Sequence, residues 1–190
     1  VGADATGTPL YKHIRNLYRL PLKGWVLPRP MMNILNGGKH ADNGLEFQEF
    51  MIVPQARKFA ERIRQGAEVF HALKSYLHAH HLSTGVGDEG GFAPYLKHNE
   101  AALQVIAKAI TLAGYRFGKD IKIALDPASS EFYNKNGTYT FDKKQISAQT
   151  LQTIYAKWIK RYHIVSIEDG LAEDDWTHWE QFTKRLGKQI

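Results

Sequence analysis

The chain has 190 residues, 43% of them hydrophobic and 12% aromatic, which is enough apolar material for a packed core and excludes a disordered chain. The net charge is +6, but the basic residues are scattered along helical stretches (Lys58, Arg62, Arg64; Lys157, Lys160, Arg161), as on solvated helix faces, and no nucleic-acid-binding block is formed. Cysteine is absent, which rules out disulfides, thiolate zinc sites and cysteine nucleophiles, and no apolar run approaches the roughly 18 residues of a membrane span.

Val1 is preceded by neither an initiator Met nor a basic-then-apolar leader, so the gene is expected to begin upstream. Thr8-Pro9-Leu10-Tyr11 reads as a helix start. Residues 31–35 and 47–53 read as short apolar strands on either side of the glycine-rich turn Asn36-Gly37-Gly38. Phe59, Ile63, Ala67, Phe70, Leu73 and Leu77 then form a helical stripe. A second helix is expected with Asn99 as its N-cap, Leu103, Ile106, Ala107 and Ile110 on one face, and Gly114 as its stop.

Residues 121–125 read as a strand ending at Asp126. A small hairpin is expected to turn at Asn136-Gly137, between Phe132-Tyr133 and 139–141. Leu151, Ile154, Tyr155, Trp158 and Ile159 mark a helix, residues 164–167 a strand ending at Glu168, and Trp176, Trp179, Phe182 and Leu186 a last helix. The order ββαα, βα, βα predicts an α/β architecture with a mostly parallel sheet covered by helices, open or barrel-like. A full eight-stranded barrel takes about 250 residues. Four such strands are legible here, so part of a barrel is expected.

Gly85-Val86-Gly87-Asp88-Glu89-Gly90 fits the dinucleotide-binding string G-x-G-x-x-G, yet it lacks the strand before and the helix after that such a site requires, and its two acids repel phosphate. Gly37-Gly38-Lys39 resembles the end of a P-loop, but Asn33 and His40 stand where Gly and Ser/Thr belong. Asp88-Glu89 is either a solvated polar turn or the seat of a general acid, with glycines permitting close backbone approach. Asp126 and Glu168 each end an apolar strand. In parallel α/β architectures those ends form the active-site face, where two carboxylates offer hard oxygens suited to Mg²⁺; the competing role is that of a turn former or helix cap. Glu173-Asp174-Asp175 is expected to complement the dipole of the helix that follows. His78, His80 and His81 are expected to favour the negative end of their helix and not to form a zinc site.

Four strings in order resemble one family, enolase. Residues 30–43, with Asn36-Gly37-Gly38-Lys39-His40, followed by Gln48-Glu49-Phe50-Met51-Ile52, are similar to its substrate-covering loop. Val86-Gly87-Asp88-Glu89-Gly90-Gly91-Phe92 is similar to its acid-bearing loop. Leu125-Asp126-Pro127-Ala128-Ser129-Ser130-Glu131 and Ile167-Glu168-Asp169 resemble its metal-bearing strand ends. The resemblance implies the first half of an enolase-type TIM barrel over residues 29–190, entered through a connecting helix and linker at 1–28. It also implies a glycolytic lyase that dehydrates 2-phosphoglycerate to phosphoenolpyruvate with Mg²⁺, cytoplasmic, and a homodimer or higher homo-oligomer.

By the same resemblance Glu89 is the general acid, His40, Gln48, Glu49 and Glu168 lie at the substrate, and Asp126 and Glu168 hold the metal. Glu89 would stay protonated through burial beside other carboxylates. Lys39 and Gly170 depart from residues some relatives carry. A third metal carboxylate and the catalytic Lys base are implied beyond Ile190, so the 190 residues alone are expected to be inactive and marginally stable, with edge strands and an apolar inner face uncovered. The alternative from a different class is a non-catalytic interaction or scaffold protein with a basic surface.

Overall fold

A computed structural model describes residues 1–21 and 24–190. It contains six helices, α1 (Gly2–Ala5), α2 (Leu10–Leu17), α3 (Phe59–Ala79), α4 (Asn99–Leu112), α5 (Ala148–Tyr162) and α6 (Trp176–Leu186), and two short 3₁₀ turns, Gly38–His40 and Ser129–Phe132. Its strands are β1 (Met32–Asn36), β2 (Glu49–Pro54), β3 (Ile121–Asp126), β4 (Tyr139–Phe141), β5 (Lys144–Ile146) and β6 (Ile164–Ile167). The expected linker includes Leu22 and Lys23, which lie outside the described residues. No helix among the described residues is long and apolar enough to cross a membrane.

The main sheet is open, in the order β1-β2-β3-β6. The expectation of a mostly parallel sheet is corrected: β1 with β2 and β2 with β3 are antiparallel, and only β3 with β6 is parallel. The cause lies in residues 37–48, which hold only the 3₁₀ turn Gly38–His40 and no crossover helix, and which fold back so that β2 runs against β1. Parallel pairing begins only where α5 supplies the crossover from β3 to β6.

The reversal of β2 decides what the sheet can present. Asn36 at the end of β1 pairs with Glu49 at the start of β2, and Glu49 pairs with Asp126 at the end of β3. Leu125 pairs with Ile167, so Glu168 follows directly on the next strand. The first residue of β2 thus lies on the same edge as the last residues of its neighbours.

Alternation along β2 and β3 splits two faces. Phe50, Ile52, Ile121, Ile123 and Leu125 join the main core beneath the helices, whereas Met51, Val53 and Ala124 form a second small cluster with Val165. By the same period Glu49 and Asp126 share the second face. That face is not simply uncovered, as expected, because Met51, Val53 and Ala124 on the two central strands are buried.

Phe47 is the centre of the aromatic core. Its ring lies 5.7 to 6.0 Å from those of Phe50, Phe132, Phe141, Tyr155 and Trp158. It precedes β2 and is not part of the ladder, so packing fixes the chain at the residue before Gln48-Glu49.

Three local expectations are corrected and a fourth is extended. The buried side of α3 is Gln65, Gly66, Val69, Leu73 and Leu77, while Phe59, Ile63 and Ala67 are exposed. Gly66 marks the contact side, since a Cβ there would meet Met32 Sδ at 2.1 Å. The N-cap of α4 is His98, whose Nδ1 accepts from the Ala101 N–H at 3.1 Å, and Asn99 is the first helical residue. The expected small hairpin is present, with Asn136-Gly137 in the turn and Tyr133 bridged antiparallel to Tyr139, and a further ladder hairpin, β4-β5, turns at Asp142-Lys143, both with positive φ. Trp176 is exposed, and Phe182 and Leu186 carry the buried side of α6.

Candidate active site

The row formed by Asn36, Glu49 and Asp126 meets two loops. The first, between β1 and β2, folds into the 3₁₀ turn that carries His40. Gly37 donates to the Gln48 carbonyl at 3.0 Å and Gly38 to the Leu45 carbonyl at 2.9 Å, and Asn43 Nδ2 donates to the Asn36 carbonyl at 2.8 Å. The second loop carries Glu89 and is tied down by Asn36 N–H to Phe92 O and Phe92 N–H to Ile34 O. Gly91 is required there, because a Cβ would fall 2.4 Å from Asn36 Oδ1 and 2.8 Å from Leu35 N.

These constraints bring His40 between two carboxylates. His40 Nδ1 is 3.7 Å from Glu49 Oε1, and His40 Nε2 is 3.8 Å from Glu89 Oε1. One ligand atom from each of His40, Glu49 and Glu89 lies within 4.8 Å of the other two. The side chain of Glu49 is 13% exposed and that of Glu89 52%. The burial expected for Glu89 therefore falls on Glu49, because the first comes from an open loop and the second from a strand. Burial, then the neighbouring Glu89 carboxyl, with Asp126 and Glu168 adding repulsion, pushes Glu49 up to about 7.

Asp126 is half-buried at the end of β3 and accepts the Ala128 N–H at 3.0 Å. Its carboxyl is raised, first by burial and further by Glu168 and Asp169, against the lowering effect of the Ala128 N–H. Glu168 is exposed, and its N–H donates to the Leu125 carbonyl at 2.9 Å, which ties the two strand ends together. Half-buried Asp126 and its two acidic neighbours carry like charge that a divalent cation would offset, and their donors are hard oxygens, so Asp126 and Glu168 fit Mg²⁺. Among the described residues, the three ligand atoms that lie within 4.8 Å of one another are nevertheless those of His40, Glu49 and Glu89.

Gln48 contributes through its backbone, where its carbonyl accepts from Gly37 and from Asn36 Nδ2 at 3.4 Å. Lys39 pairs with Glu131, which links the first loop to the segment after Asp126. Four residues absent from the expected site support it. Asn36 is fully buried and its Nδ2 lies 3.5 Å from His40 Nδ1. Asn99, fully buried, donates to Glu46 and Asp142 and accepts the Phe47 N–H at 3.1 Å. Tyr139 and Asp175 brace the loop after Glu168. The signal for Asn36 lay in the paired glycines 87 and 91 that pack against it; for Asn99 an adjacent N-capping His98 hid its free amide. For Asp175 the sequence offers only a place at the start of a helix.

His78, His80 and His81 form no metal-binding group among the described residues, and His80 Nδ1 instead lies 2.8 Å from the Tyr76 carbonyl.

Comparison with known proteins adds two findings. Residues 24–190 match the model of the family described as Enolase, C-terminal TIM barrel domain. A protein of Elusimicrobium minutum (strain Pei191) named "Enolase" is 53% identical over all 190 residues, and the chain spans 44% of that relative's length. With a family match across most of the chain and the sheet edge described above, the chain belongs to the enolase family.

Proposed function

We propose that this chain supplies the proton-donating and part of the metal-binding side of an active site that dehydrates 2-phosphoglycerate to phosphoenolpyruvate. The carrying observation is the row of Glu49, Asp126 and Glu168 along one sheet edge, with His40 and Glu89 closing over it. Asp126 and Glu168 would hold Mg²⁺. When bound, that cation neutralises the carboxylate charge that builds up as the proton beside it leaves.

Hydroxide is a poor leaving group, so the carbon–oxygen bond breaks only as a proton reaches the departing oxygen. Glu89 is assigned that transfer, since it faces His40 from the solvent-exposed side of the trio. Glu49 holds a proton into the neutral range and is a weak cation ligand in that form, which supports a proton-handling role for the trio. His40 lies beside both carboxyls, with Nδ1 toward Glu49 and Nε2 toward Glu89. Gln48, tied by its carbonyl to the first loop, lines the substrate side with His40, Glu49 and Glu168. A homo-oligomeric, cytoplasmic glycolytic lyase is proposed with this reading.

The test uses the complete gene product, with product followed by its enolpyruvate absorbance in Mg²⁺. Glu89→Gln is expected to lower turnover by about 10² to 10⁴ while leaving Mg²⁺ affinity within a few-fold of wild type. Wild-type turnover in that variant would overturn the assignment.

A further inference from the structure

The two loops that follow Asp126 and Glu168 leave their strands through left-handed residues that are not glycine, Ala128 (φ 49°) and Asp169 (φ 43°). Such a conformation persists only where the surroundings hold it. Here the loops hold each other: the Ser129 N–H donates to the Asp169 carbonyl at 3.0 Å and the Glu173 N–H to Ser130 Oγ at 2.9 Å.

Behind them stands Tyr139 on β4, fully buried. Its hydroxyl accepts the Ala172 N–H at 3.0 Å and donates to Asp175 Oδ2 at 2.8 Å. The other carboxyl oxygen of Asp175 meets His178 Nδ1 at 2.6 Å, and His178 Nε2 meets Gln149 Nε2 at 2.9 Å. On its far side, the Ala172 carbonyl accepts from Trp179 Nε1 at 3.0 Å.

Asp175 occupies the N-cap position of α6, where an aspartate ordinarily accepts a backbone N–H of the first turn. It makes no such bond. Its carboxylate is committed to Tyr139 and His178, so a favourable local role is given up for a contact with another part of the fold. The acids of this stretch were expected to serve the helix dipole, which none does from the first turn.

The geometry points to Tyr139 and Asp175 as positioning residues that hold the Glu168–Ala172 loop in place, and through it set Glu168 against Asp126 for Mg²⁺ binding. The inference rests on the proposal that Asp126 and Glu168 hold the metal. Neither Tyr139 nor Asp175 belongs to the proposed ligand set.

Mg²⁺ binding to the complete gene product is measured by titration calorimetry for wild type, Asp126→Asn, Tyr139→Phe, Asp175→Asn, Asp175→Ala and a core control on α4, Ile106→Val, with melting curves in chelator alongside. Loss of an outer contact that orients a ligand typically costs 10- to 100-fold in metal affinity. Tyr139→Phe and Asp175→Ala are expected to weaken Mg²⁺ by about that factor, while Asp175→Asn, which still accepts from the hydroxyl, stays within about threefold of wild type. Mg²⁺ affinity in Tyr139→Phe within twofold of wild type would overturn the positioning role. So would an equal weakening in Ile106→Val, since the effect would then be general loosening. If wild type binds no Mg²⁺, or Asp126→Asn binds as wild type does, the metal assignment itself falls and the positioning role with it.

Discussion

Glu49 carries the sharpest consequence at the scale of one residue. Its carboxyl titrates near 4.5 in an unfolded chain and about 7 in the folded one. Between those values the folded state binds more protons, so its stability falls as pH rises from about 4.5 through 7 and levels off above. Asp126 is displaced in the same direction, so comparison of two proteins that differ only at residue 49 isolates Glu49. Glu49→Gln abolishes the charge that burial penalises. In urea titrations without metal, this variant should match wild type below about pH 4.5, exceed it by a margin that grows to about pH 7, and keep a nearly constant margin above. A stability gain that is constant with pH would mean the residue acts through packing alone.

Among the elements, the ladder of β2 begins at Glu49, but what fixes its start is the residue two positions before it. Phe47 fills the space between the sheet, the Ser129–Phe132 turn, β4 and α5, and Asn99 holds its N–H. Phe47→Ala should cost roughly 3 to 5 kcal/mol by cavity formation, read from the denaturant midpoint at constant m-value. The same substitution should raise the KM of the complete gene product more than a core truncation of equal cost elsewhere, because Gln48 and Glu49 follow directly.

The order of elements was legible because apolar periodicity reports it, and the acids at the ends of β3 and β6 were legible because each closes an apolar run. Pairing direction was not, since periodicity does not say which way a strand runs; that depended on the short, hydrogen-bonded turn at 37–48. The register of α3 was misread for a related reason. Phe59 and Ile63 have the helical period but face outward, and only the contact of Gly66 with Met32 decides the side. The supporting bonds of Asn36, Asn99 and Tyr139 are not legible in the sequence, because their partners lie 33 to 56 positions away along the chain or in loops whose shape is set by packing.

For the molecule as a whole, the arrangement is one-sided. Glu49, Glu89, Asp126 and Glu168 gather at one end of the sheet, yet among the described residues none of them forms an ion pair with a Lys or Arg. Lys39, the basic residue of the first loop, is engaged with Glu131. The site so built can give a proton to a leaving oxygen, but it offers no strongly basic side chain to remove one from carbon, and that step needs its own general base. The 190-residue polypeptide should therefore produce no enolpyruvate absorbance from 2-phosphoglycerate with saturating Mg²⁺. A rate above the protein-free blank that disappears on chelation and in Glu89→Gln would show that a base lies among these residues. The exposed apolar side chains Leu10, Ile14, Leu17, Trp25, Val26 and Leu27, together with the open edge at β6, give the same polypeptide a second expected property, self-association that grows with concentration in sedimentation velocity. The two outcomes are separable: association without turnover is expected at every concentration, since apposing two copies of this sheet edge doubles the acids and adds no base.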